Sequence, residues 1–240
     1  MTTGERLRAI VKRLERFYGA LPTPPLDAFG LYVWRVVAFQ ATPQRRDAAM
    51  AALRHIPALT PDAMSRAPRG RLEAAVTLAG SLRDERRRAL IAGANAFRRN
   101  RELVRVLKGT LPEARAALTQ LPHLADADGE WLLLFGGDQP ILPADPRAVR
   151  VLTRLGYGES SPPPQDLCVS VAKDLKDDLN LLRHAILYLS HHGLITCTDA
   201  SPHCVVCPLL KTCPYGQSRT ATPQRTQRTN ESPNRGHRGS

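Results

Sequence analysis

An all-α fold is what this sequence predicts, on three observations. Apolar residues recur at helical spacing in segment after segment, as at Leu7, Ile10, Val11, Leu14 and Phe17. Three capping residues stand directly before a proline suited to a first helical turn: Thr42-Pro43, Thr60-Pro61 and Asp145-Pro146. No stretch sustains the period-two alternation of a half-buried strand. The chain has 240 residues and 42% hydrophobic content, enough to bury a real core in one large or two small domains.

In chain order, residues 4–19 form an amphipathic helix, ended by the break at Pro22, Pro24 and Pro25. Residues 26–40 are almost continuously apolar and long enough for a buried helix rather than a strand. Thr42-Pro43 opens a helix running to about Ile56, and Thr60-Pro61-Asp62 repeats the signal. Residues 71–79 and 84–107 continue the pattern, the second rich in arginine; 112–120 and 129–135 are shorter, separated by LPHLADADG. Asp145-Pro146 starts a helix that ends near Gly156–Gly158, and 160–164 are a linker. Residues 165–193 hold helical material, the last helix leading straight into a cysteine-rich loop. From 217 to 240 the chain loses its hydrophobes and carries five arginines against one glutamate, a basic tail expected to stay unordered.

Formal net charge is +12, mostly from arginine, with a pI near 10.2. A chain this basic calls for a polyanionic partner, nucleic acid first and an anionic membrane second. Glu5, Arg6, Arg8, Lys12 and Arg13 interrupt any apolar leader at the N-terminus. The longest uncharged run near the C-terminus, 185–198, is too short to span a bilayer. A soluble, cytoplasmic protein is therefore expected.

Four of the five cysteines, Cys197, Cys204, Cys207 and Cys213, fall in one loop with six, two and five residues between them. Four thiolates this dense suit an iron–sulfur cluster or zinc. Structural zinc usually takes two short C-x2-4-C knuckles, and only Cys204 and Cys207 form one. The wider loops favour a cube with one thiolate per corner iron; disulfides rank last, since nothing points to secretion. Cys168 stands alone and reads as a small buried hydrophobe.

With His192-Gly193 before it and Pro214 after it, this spacing resembles the cluster loop of the endonuclease III branch of the helix-hairpin-helix DNA glycosylases. The resemblance implies a 4Fe-4S cluster on Cys197, Cys204, Cys207 and Cys213. It also implies a two-domain architecture, with a helical barrel at 26–138 and a cluster domain made from 1–25 and 139–216. Gln40-Ala41-Thr42 resembles the family's Q-A-T, whose glutamine fills the space left when a base is flipped out of the duplex. Asp145, Arg150 and Val151 keep the spacing of the family's V-D-T-H-x-x-R-V segment, which makes Asp145 the candidate catalytic carboxylate. An aspartate before a proline is equally a helix N-cap, and the two roles are compatible.

Three departures accompany the resemblance. Leu121-Pro122 begins the segment matching the family's L-P-G-V-G hairpin, but His123 and Ala125 replace its glycines, while Asp126 and Asp128 bring negative charge. The position of the family's Schiff-base lysine falls on Ala127 or Ala125, and no lysine occurs between Lys108 and Lys173. Residues 198–203 of the cysteine loop lack the family's basic residues, and positive charge gathers instead between Arg83 and Arg101. Arg83, Arg86 and Arg87 are accordingly expected to contact DNA. The expectation is a monomeric, monofunctional glycosylase acting on double-stranded DNA. A non-catalytic DNA-binding iron–sulfur protein is the alternative from another class, and a zinc-stabilised module ranks third.

Overall fold

The computed structural model describes residues 2–56, 59–122, 124, 126–158 and 163–221. Among them are thirteen α-helices, one π-helical turn and two 3-10 turns, with no strand. The all-α expectation holds.

The first group of helices begins with α2 (Ala28–Ala38), α3 (Pro43–His55), α4 (Pro61–Arg66), α5 (Arg69–Thr77) and α6 (Arg83–Arg99). It is completed by α7 (Leu103–Leu107), α8 (Leu111–Leu118) and α9 (Asp126–Trp131). Nearly all of α2 is buried, and it packs on α3 and α6. Gly93 of α6 permits that packing: a Cβ there would lie 2.1 Å from the Tyr32 ring. The second group sets α1 (Thr3–Tyr18) and α10 (Pro146–Arg154) against α12 (Leu179–Ile195), with α11 (Pro164–Lys173) and α13 (Pro214–Ala221) packed on α10. Apolar side chains of both groups form one continuous core.

The expected caps are present. Thr2 and Glu5 close a capping box on α1, Thr42 and Thr60 cap α3 and α4, and Asp145 caps α10. Three boundaries differ from expectation. The helix anticipated over 84–107 is two, because Asn100 leaves helical conformation and its amide bonds Gln120. Phe97 and Leu103, on either side of that break, are both buried, and a single helix would set them about 240° apart, so the break is what lets both face the core. The segment anticipated at 129–135 starts earlier, at Asp126, and passes into a π-turn over Leu132–Gly136, where Gly137 N bonds Leu132 O at 3.0 Å. Trp131 and Phe135 stack across that turn, ring centroids 5.3 Å apart. At the other end, α13 carries helix to Ala221, into the expected tail, with Gln217 bonded back to Cys213 O and Lys211 O. The rest of the tail, 222–240, and the linker residues 160–162 lie outside the described residues.

Candidate functional site

Asp145 precedes the first turn of α10, and its Oδ1 accepts from the backbone N–H of Arg147 (2.9 Å) and Ala148 (3.3 Å). The residue is 6% exposed, and the cap leaves Oδ2 unused. Sequence reasoning missed what braces this turn. Glu130 of α9 accepts the Ala144 N–H at 2.7 Å, one residue before Asp145. Two residues earlier in α9, Asp128 accepts from Arg35 Nε of α2 at 2.6 Å, both side chains largely buried. Arg35 in turn lies 4.6 Å from the Trp131 ring centroid. So α9 ties the helix leading to Gln40 to the turn carrying Asp145. A lone arginine inside an apolar run was the available signal for the first of these links; the second has none in the sequence.

Gln40 is exposed at the C-terminal end of α2 and has a left-handed backbone, φ 52°. Of the three arginines expected at DNA, Arg83 is exposed, with 54% of its side chain accessible, and Arg87 is half-buried 3.3 Å from Glu73. Arg86 is corrected outright. It is 2% exposed and donates from Nη2 to the Phe39 carbonyl, because its position on α6 points inward at α2. His123 and Ala125, the glycine replacements of the hairpin segment, lie outside the described residues.

Cys197, Cys204, Cys207 and Cys213 line a single cavity with His192, Leu209, Leu210 and Tyr215. All four are free thiols. Backbone N–H groups of Leu209 and Gly216 donate to the sulfurs of Cys207 and Cys213 at 3.4 and 3.3 Å, and Arg154 Nη1 approaches Cys197 Sγ at 3.3 Å. Burial pushes the Cys207 thiol up to about 11, with repulsion from the other three cysteines acting in the same direction. Burial likewise holds His192 down at about 4. Among the described residues, no group of three His, Cys, Asp or Glu side chains is placed to hold a metal ion.

The loop is anchored by α10 itself. Arg150 donates to the carbonyls of Cys197 and Gly193, and Arg154 to those of Cys197, Thr198 and Asp199. Helices α10 and α12 cross at Gly193, where a Cβ would stand 2.8 Å from the Arg147 carbonyl oxygen. One short helix therefore presents Asp145 at its first turn and holds the cysteine loop from its last two. Cys168, as expected, is a buried thiol, its Sγ 3.7 Å from Pro143 O.

No protein-family model matches the chain. Endonuclease III of Bacillus subtilis (strain 168) is 28% identical over 116 residues, which are 46% of this chain and 50% of that protein. The match thus spans half the length of that relative. Among solved structures, a non-covalent endonuclease III–DNA complex superposes with a TM-score of 0.68 at 19% identity, covering 92% of this chain and 100% of that one. A thermostable thymine-DNA glycosylase gives 0.60 at 17% identity, over 90% of this chain and 99% of that one. The H. pylori 3-methyladenine DNA glycosylase bound to 1,N6-ethenoadenine gives 0.59 at 13% identity, over 79% and 94%. The chain has the all-α fold of the helix-hairpin-helix DNA glycosylases. Within that fold, endonuclease III is what it resembles in sequence and in structure alike.

Proposed function

We propose that this protein is an endonuclease III-like DNA glycosylase that hydrolyses the bond between a damaged or mispaired base and its sugar in duplex DNA. The observation that carries the reading is α10, which presents Asp145 at one end and fastens the four-cysteine loop at the other. Relatives that share the fold bear the names of DNA glycosylases, and two of the similar structures are DNA complexes.

In this reading Gln40 occupies the gap left by the flipped nucleotide. Asp145 has one oxygen engaged by α10, while the other faces positive charge developing on the sugar as the base departs. Water supplies the hydroxyl that ends on the sugar carbon, and its proton leaves with the base. The strand stays intact, because no lysine between Lys108 and Lys173 is available to form a Schiff base. Cys197, Cys204, Cys207 and Cys213 would hold a 4Fe-4S cluster, which would order the loop without entering the cleavage. Four thiols on one cavity, with N–H donors on two sulfurs and a guanidinium on a third, suit that group. A monomer working in the cytoplasm completes the proposal. None of the described helices is long and apolar enough to cross a membrane.

The burial of Asp145 favours a second reading, a DNA-binding protein of the same fold without catalysis. Duplexes carrying oxidised pyrimidines, uracil, alkylated purines or mispairs, treated with alkali after incubation, separate the two. Base release without nicking before alkali supports the glycosylase; salt-dependent binding with no release supports the alternative. Asp145→Asn keeps a good helix cap but loses the charge, so release should fall about a hundredfold or more at unchanged binding. Unchanged release would remove Asp145 from the mechanism. A broad absorption band near about 400 nm with about four irons per chain would establish the cluster; colourless protein with zinc would refute it.

A further inference from the structure

The turn that carries Gln40 has features the scheme above does not use. Phe39, beside it, is 49% exposed, although it follows a buried helix. Its backbone angles are φ −57° and ψ 120°, Gln40 has φ 52°, and Ala41 N bonds Ala38 O at 3.1 Å. Those values describe a type II turn over 38–41 with Phe39 and Gln40 at its two corners. The second corner of such a turn favours glycine or asparagine, so glutamine is strained there.

Type I and type II turns differ by a flip of the peptide joining the two corners. Here the carbonyl of that peptide, Phe39 O, accepts from Arg86 Nη2. Arg86 is buried, and its Nε and Nη1 have no partner. Burial pulls its guanidinium below the ordinary arginine range. An apolar side chain would fill this place at less cost than a charge with two unsatisfied nitrogens. What the charge does achieve is to hold the flipped carbonyl. The backbone N–H of Arg86 also bonds Leu82 O, and Leu82 is a second left-handed non-glycine residue, φ 66°. Exposed Arg45 and Arg83 stand on the chain segments that follow the two strained residues, and Arg45 Nη1 would lie 2.9 Å from a Cβ on Gly80. An exposed aromatic ring, with exposed arginines on the segments beside its turn, matches an unstacked base and its phosphates.

We propose that Phe39 is a DNA-contacting residue, stacking on a base beside the place Gln40 fills, and that Arg86 is the positioning residue that locks the turn presenting both. The proposal rests on the duplex-DNA reading above. A Phe39→Trp variant tests the contact, since Trp34 and Trp131 are both buried and give a constant background. Saturation with a duplex carrying a tetrahydrofuran abasic analogue, followed independently by anisotropy of labelled DNA, should quench the new indole; unquenched emission at saturation overturns the contact. Arg86→Met should keep the melting temperature and the affinity for undamaged duplex. It should lose about tenfold of the preference for the abasic duplex, the effect of one charge-assisted hydrogen bond. Arg86→Lys should restore part of that preference, and it carries the same test should the methionine variant fail to fold. An unchanged preference overturns the lock. If the unsubstituted protein binds both duplexes equally and releases no base, the glycosylase reading fails, while quenching of the indole still decides whether Phe39 meets DNA.

Discussion

Gln40 occupies a place where glycine would rest more easily, because its φ of 52° crowds a side chain against its own backbone. Replacement by glycine should therefore raise stability by about 1 kcal/mol in denaturant melts. The same change removes the side chain proposed to fill the emptied base stack, so on that reading preference for an abasic duplex should fall as stability rises. A Gln40→Gly variant that is both less stable and equally selective would contradict the strain and the role together. At this scale the sequence was readable where a residue type carries its own chemistry. Four cysteines in one loop, and an aspartate before a proline, announce their surroundings. Arg86 was not readable, since one arginine among several on a helix looks solvated whichever way it faces, and only the crossing of α2 and α6 turns it inward. Glu130 and Asp128 were hidden for a related reason: their partners, Ala144 N and Arg35, lie on distant segments.

At the scale of elements, the crossing of α10 and α12 matters most, because it sets Asp145 and the cysteine loop relative to each other. It depends on Gly193, whose missing side chain lets the α10 backbone approach at Arg147. An alanine there must push backbone rather than a flexible side chain, and should destabilise the protein by about 2 kcal/mol. Arg150 donates to the Gly193 carbonyl itself, so the displacement should also loosen the loop. On the cluster reading proposed above, Gly193→Ala protein should hold less iron per chain than the unsubstituted protein, measured after equal purification; equal iron at equal stability would show that the crossing has slack. Helix starts were legible because Thr42, Thr60 and Asp145 advertise their caps, and each does cap the helix it precedes. Interruptions were not. The break at Asn100 falls in a polar stretch, Arg98 to Glu102, that holds no glycine or proline to announce it, and the π-turn over Leu132–Gly136 sits inside an unbroken apolar run, where tertiary packing, including the Trp131–Phe135 stack, decides the backbone.

Across the whole molecule, two carboxylates help α12 grip its surroundings, and both make the fold sensitive to acid. Asp178 caps α12 at Leu181 N and meets Arg8 of α1 at 2.9 Å; the backbone bond, then Arg8, holds its carboxyl below the ordinary range. Asp138, just beyond the π-turn, joins Arg183 of α12 and lies 3.2 Å from Lys108. Its partial burial acts upward, but hydrogen bonds from Arg183 and Lys108 outweigh this and its carboxyl also titrates low. A carboxyl depressed in the folded state contributes its stability above the unfolded value of about 3.9 and loses it as pH falls through the folded one. The melting temperature should therefore be flat near neutrality and fall below about pH 4. A double variant, Asp138→Asn with Asp178→Asn, should melt somewhat lower at neutral pH and lose less on acidification. Asparagine can still cap α12, so the difference between the two acid slopes isolates the charge pairs from the cap. Both sites are partly exposed, with 50% and 33% of their side chains accessible, so solvent screens them and the effect should be modest. Acid-driven changes elsewhere in the chain act on both proteins alike and cancel in the comparison. Identical acid slopes would mean that α12 is held by its apolar core alone.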